Sequence, residues 1–103
     1  MNLDELNESS MKILTYSGKA KKLLTGVLDK LSTNHPDKES IHDQLLSADH
    51  WLKKAHQEQN KVIANVETLQ YSVLFTHAQD TLMNTETVQF LVRRFIPIYF
   101  NKH

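Results

Sequence analysis

The sequence predicts an all-α protein, a three-helix up-down-up bundle, on two observations. Only 2 Gly and 2 Pro punctuate 103 residues, too few turn-formers for a β-sandwich or barrel. Apolar residues also recur at steps of three and four over three long stretches, the spacing of one helical face. Connections short enough to join three such helices side by side make neighbours antiparallel.

The first helix is expected from about Leu3 to Leu31, with the stripe Leu3, Leu6, Ser10, Ile13, Ser17, Ala20, Leu24, Val27 and Leu31. Lys12, Lys19, Lys21, Lys22 and Lys30 fall largely off that stripe. Gly18 and Gly26 lie inside it, and Gly26 also suits a close approach of a second helix. Ser32-Thr33-Asn34-His35-Pro36-Asp37 is the clearest break, because proline favours a first turn and its predecessor avoids helical angles. The second helix starts there, with Ile41, Leu45, Ala48, Leu52, Ala55, Gln59, Val62 and Val66 as a heptad seam. Glu67-Thr68-Leu69-Gln70 reads as a short turn. The third helix is expected from about Tyr71 to Phe100, with Tyr71, Leu74, Ala78, Thr81, Thr85, Val88, Val92, Phe95 and Tyr99 facing inward. Pro97 is expected to kink or fray its last turns.

Composition narrows the function. A chain this size forms one domain, residues 1–103, and leaves apolar surface uncovered, which favours self-association. Lys plus Arg number 12 and Asp plus Glu number 12, so no electrostatic drive toward nucleic acid or an anionic membrane exists. There is no Cys, which excludes disulfides and thiolate chemistry. The start Met1-Asn2-Leu3-Asp4-Glu5 is unlike a secretory signal, and no apolar run reaches the roughly 18 residues that cross a bilayer. The expected location is cytoplasmic, without membrane insertion.

The third helix carries a second seam, Val73, His77, Asp80, Asn84, Thr87, Leu91, Arg94 and Ile98. Its middle is polar. His77 and Asp80, three apart, share one helical face. Spacing alone leaves two readings open. An exposed face makes these residues a solvated stripe; a face covered by another chain makes them groups that need partners and candidates for function. His35, His42, His50 and His103 read as solvated, and no His pair has the i, i+4 spacing of a zinc site.

The segment Tyr71-Ser72-Val73-Leu74-Phe75-Thr76-His77-Ala78-Gln79-Asp80-Thr81-Leu82-Met83-Asn84-Thr85 resembles the active-site helix of the lactose/cellobiose-type enzyme IIA family of bacterial sugar phosphotransferase systems. That helix has a Tyr-Ser start, then His, a small residue, Gln, Asp and a Leu-Met pair. Ala55-His56-Gln57-Glu58-Gln59-Asn60 is similar to the family's Ala-His-x-x-Gln segment, and Ile13 to Leu24 gives a third match on the first helix. The resemblance spans nearly the whole chain in the same helix order.

It implies a homotrimer, a nine-helix bundle. It also implies a phosphocarrier in which His77 accepts a phosphoryl group from the phosphocarrier HPr and passes it to a Cys of the cognate enzyme IIB. Asp80 matches an Asp that gathers about the threefold axis and binds a divalent cation. Gln79 matches a polar residue beside the phosphorylated His. His56 is expected to approach His77 from the neighbouring helix in a supporting role, or to satisfy a local polar contact.

Those assignments make chemical sense. A neutral imidazole is nucleophilic near neutral pH, with its second nitrogen held by an acceptor that fixes the tautomer. In-line phosphoryl transfer is catalysed mainly by positioning and by donors such as the Gln79 amide. Three carboxylates on an axis repel: at about 4 Å and an effective dielectric of about 20, each pair costs about 4 kcal/mol. A hard, oxygen-seeking cation such as Mg2+ relieves this. The sequence departs from the family at Ala78 (usually Gly), at Thr81 (often a second His), at Gln70 (commonly Pro) and at Pro97. None of these removes His77, Gln79 or Asp80. A non-catalytic trimeric paralogue with a regulatory duty and an unrelated helical interaction module are the competing readings.

Overall fold

The computed structural model describes residues 1–65 and 72–102. Val66, the expected turn Glu67–Gln70, Tyr71 and His103 lie outside the described residues. Three helices follow in order: α1 (Leu3–Leu31), α2 (Lys38–Asn65) and α3 (Val73–Lys102). They lie side by side in a rod of 52 × 18 × 17 Å, a little longer than the roughly 45 Å of a helix of about 30 residues because the ends extend past the helices.

Each start has a local cause. Asn2 caps α1, its side chain accepting from the Glu5 amide at 2.8 Å. Asp37, immediately after Pro36, accepts from the Glu39 amide at 3.1 Å and opens α2. Ser72 Oγ accepts from the Phe75 amide at 3.0 Å and opens α3.

The helices run up, down and up. Ser9 Oγ donates to Glu58 at 2.8 Å near one end of the α1–α2 seam. Tyr16 stacks on Trp51 at 5.6 Å in the middle, and Gln44 Nε2 reaches the Leu23 carbonyl at 3.3 Å toward the other end. α1 is the hub, packing along both neighbours, whereas α2 and α3 touch sparsely. The core joins Ile13, Leu24 and Val27 of α1 to Ile41, Leu52 and Val62 of α2 and to Phe75, Leu82 and Val92 of α3. Ala20, Ala48, Ala55 and Ala78 are also fully buried, and their small size lets the backbones approach closely. Gly26 leaves room for the Gln44 amide, since a Cβ there would stand 2.8 Å from Gln44 Nε2.

The α1 stripe holds from Leu6 to Val27, with Leu3 exposed at its end and Leu31 half-buried. The α2 seam holds from Ile41 to Val62, with Leu45 and Gln59 half-buried. On α3 the inward face is rotated. Ala78, Thr85 and Val92 are buried as expected, but Phe75 and Leu82 fill the core where Leu74 and Thr81 are only half-buried, and Phe95 is 55% exposed. Apolar residues surround the C-terminal half of α3, so spacing could not choose among its faces. The expected fraying at Pro97 does not occur: α3 continues to Lys102. Pro97 is on the exposed side, and Ile96 and Phe100, packed against the core on either side of it, hold the last turns in place.

Candidate functional site

The eight residues Val73, His77, Asp80, Asn84, Thr87, Leu91, Arg94 and Ile98 are all exposed, on the side of α3 opposite its buried residues, with Ile98 at the end bordering Leu28 and Leu31 of α1. Successive members differ by four and three positions, so the row runs nearly straight along the helix. Within it His77 and Asp80 stand about one turn apart, close enough to share a ligand surface. The backbone beneath them is regular helix, and Thr81 Oγ1 donates to the His77 carbonyl at 2.9 Å. Ala78 and Leu82, both fully buried, anchor this turn of α3 in the core.

Gln79 is half-buried on another side of the helix. Residues two apart do not face each other, so a single chain does not bring Gln79 onto His77. Heptad spacing places Gln79 in line with Glu86 and Arg93, the strip that faces α2.

His56 meets that strip. Its Nε2 lies 2.7 Å from Glu86 Oε2. Glu86 is nine residues from His77, about 13 Å along the helix, so of the two expected roles for His56 the structure provides the local polar contact. One heptad away, Asp49 receives Gln89 Nε2 at 3.2 Å, Lys53 Nζ at 2.9 Å and, at 3.9 Å, Arg93 Nη2. The hydrogen bond from Lys53 holds the Asp49 carboxyl below its ordinary pKa, with help from Gln89 and Arg93 and against its partial burial. These polar ties bridge the sparse α2–α3 seam. Glu86 and Asp49 were not singled out in the sequence. The signal was present: Asp49 and His56 are seven apart on α2, Glu86 and Arg93 seven apart on α3, and antiparallel helices pair them in opposite order.

Asp80 is the carboxylate available to a cation on the His77 face. Among the described residues no three His, Cys, Asp or Glu side chains of one chain gather into a cation site. One chain supplies Asp80 and, a turn on, the Asn84 amide oxygen, so a cation would need ligands from more than one copy. Elsewhere, an apolar groove of about 390 Å³ runs between the C-terminal ends of α1 and α3, lined by Leu28, Leu31, Phe95, Ile98, Tyr99 and Lys102. Among the described residues no helix is long and apolar enough to cross a membrane.

The site is thus a histidine and a carboxylate displayed on one exposed face of a slender antiparallel bundle. The chain belongs to the lactose/cellobiose-specific IIA subunit family of the phosphotransferase system, which it matches over residues 8–100. It is 30% identical over 103 aligned positions to the lactose-specific EIIA component of the phosphotransferase system of Staphylococcus epidermidis, with 96% of each chain covered. It is 26% identical over 102 positions to the lactose-specific EIIA component of Streptococcus mutans, again with 96% of each covered. It is therefore a component of a sugar phosphotransferase system.

Proposed function

We propose that this chain is the phosphohistidine carrier of its system. His77 takes a phosphoryl group from phospho-HPr and gives it to a Cys of the cognate enzyme IIB. One neutral imidazole nitrogen of His77 attacks phosphorus as the bond to the HPr nitrogen breaks. The N–P bond so formed is then broken by the enzyme IIB thiolate. The observation that carries this reading is the exposure of His77 on an unpartnered face of α3, inside a segment that keeps the family's His-x-Gln-Asp-x-Leu-Met pattern. A partner protein's phosphorylated residue can approach such a side chain, and water cannot be excluded until a partner docks.

The working form in this reading is a homotrimer closed around the α3 seam. Val73, Leu91 and Ile98 on the seam, with Phe90 and Phe95 beside it, are large apolar groups left at the surface of one chain, and they favour burial against further copies. Asp80 of each copy would hold a divalent cation such as Mg2+, which neutralises the three carboxylates when bound. Both relatives are named lactose-specific, which makes lactose the first sugar to test.

The test is the intact mass of the protein after incubation with phosphoenolpyruvate, enzyme I and HPr, beside His77→Ala. One added phosphoryl group, released by mild acid and absent from the variant, is expected. An unmodified, folded wild-type chain would refute the carrier role and favour a regulatory paralogue.

A further inference from the structure

Besides His77, the exposed seam of α3 holds one carboxylate, Asp80, and one guanidinium, Arg94, fourteen positions further on. On one helix they stand about 21 Å apart, so neither neutralises the other. Arg94 has no carboxylate in ion-pair reach among the described residues. Its neighbour Arg93 takes Asp49, and Glu86, the other acid of α3, is engaged by His56. The Arg94 guanidinium instead lies over the Phe90 ring, Cζ 5.0 Å from its centroid. Leu91 and Ile98, its seam neighbours on either side, are 48% and 54% exposed. On a free chain this cation is solvated. Once the apolar seam around it is covered, it is a charge removed from water that requires a counter-charge.

We propose that in the assembled protein the Arg94 guanidiniums meet on the seam axis and hold a tetrahedral oxyanion, of the phosphate or sulfate class, between them. The proposal rests on the trimer put forward above. Parallel packing about an axis sets each seam residue beside its own equivalents. The geometry that gathers Asp80 therefore also gathers Arg94, two heptads away. Guanidinium presents a rigid fork of donors matched to oxyanion edges, and it keeps its charge at any working pH. Stacking on Phe90 restrains the plane of each fork before the anion arrives. No single chain contains this site, because each copy supplies one Arg94. The two charged layers are complementary in sign: a cation relieves the Asp80 layer, an anion the Arg94 layer. An antiparallel pair of copies centred on Thr87 would behave differently. Asp80 and Arg94 each stand seven residues from Thr87, so such a pair would neutralise them against each other and leave no anion site.

The test is sedimentation velocity over a dilution series in chloride buffer at fixed Mg2+, with and without inorganic phosphate, on the wild type and Arg94→Gln. Arg94 is exposed in the single chain, so the variant folds, and circular dichroism checks this. Phosphate at ten times its dissociation constant is expected to favour the wild-type trimer by about tenfold. Arg94→Gln is expected to stay trimeric in chloride and to show no phosphate response. A wild-type trimer indifferent to phosphate, or a variant that responds equally, overturns the anion site and leaves the trimer standing. A wild type that sediments as a dimer or monomer overturns both.

Discussion

Ser10 and Ser17 stand one heptad apart on the inward stripe of α1, and both are fully buried. They differ in one respect. Ser10 Oγ donates to the Leu6 carbonyl at 2.7 Å, while Ser17 Oγ has no hydrogen-bond partner among the described residues. Replacing each by Ala isolates that difference. Both substitutions gain about 0.5 kcal/mol of helix propensity and leave a similar small gap. Ser10→Ala also loses a hydrogen bond of about 1 kcal/mol net, so its expected effect is destabilising by about 0.5 kcal/mol. Ser17→Ala removes a hydroxyl whose desolvation, about 1–3 kcal/mol, nothing repays. With the lost contacts of the oxygen set against that, the variant is expected to be more stable by about 1–2 kcal/mol. Urea unfolding at one fixed protein concentration measures both, provided the slopes agree with wild type. A Ser17→Ala variant as destabilised as Ser10→Ala would refute the reasoning, because it would mean that the Ser17 hydroxyl is bonded in the folded protein.

Two further outcomes follow from the charged groups. The Lys53 hydrogen bond lowers the folded-state pKa of Asp49, so the unfolded chain, with a carboxyl pKa of about 3.9, binds this proton more readily. The stabilisation is therefore fully present above about pH 4 and disappears as pH falls through the lower folded pKa. Melting curves from about pH 5 down to about pH 2 should show wild type losing more stability than Asp49→Asn over that range; parallel losses would dismiss the tie. If the proposed trimer holds a cation on its axis, chelation should loosen the wild type but not Asp80→Asn, in which three carboxylates no longer repel by about 4 kcal/mol per pair. Equal calorimetric affinity of the two proteins for Mg2+ would reject Asp80 as the ligand.

The ease of reading differed between the helices for physical reasons. α1 has a marked apolar stripe flanked by lysines, so its buried set from Leu6 to Val27 is plain in the sequence apart from Ser9, which hydrogen bonds to Glu58. α2 was nearly as plain, because the heptad from Ile41 to Val62 has Gln59 as its one polar member. α3 carries apolar groups on several sides, with Phe90, Leu91, Phe95 and Ile98 left outside. Periodicity alone could not tell its α1-facing side from the bare one, and Phe75 and Leu82 took places expected of Leu74 and Thr81. The bare seam with His77 and Asp80 was legible as a row of positions. The separation of Gln79 from His77 is legible too, since residues two apart do not share a helical face. The His56–Glu86 contact was not, since it depends on the register of α2 against α3, which no residue within either helix sets alone.

Trp51 is the chain's single tryptophan. It lies in the α1–α2 seam, stacked on Tyr16, edge-on to His50 at 5.4 Å and with Lys19 Nζ 4.2 Å from its ring centroid. The antiparallel register that pairs His56 with Glu86 sets Trp51 level with Leu91 on α3, about 20 Å along the rod from His77. Its fluorescence is thus an optical gauge built into the α1–α2 flank, blind to chemistry at His77 itself. A partner protein that touches that flank or prises α2 from α1 is expected to alter the emission. One that leaves the emission unchanged while drawing phosphate onto or off the chain has docked elsewhere, and a single cuvette reading distinguishes the two approaches.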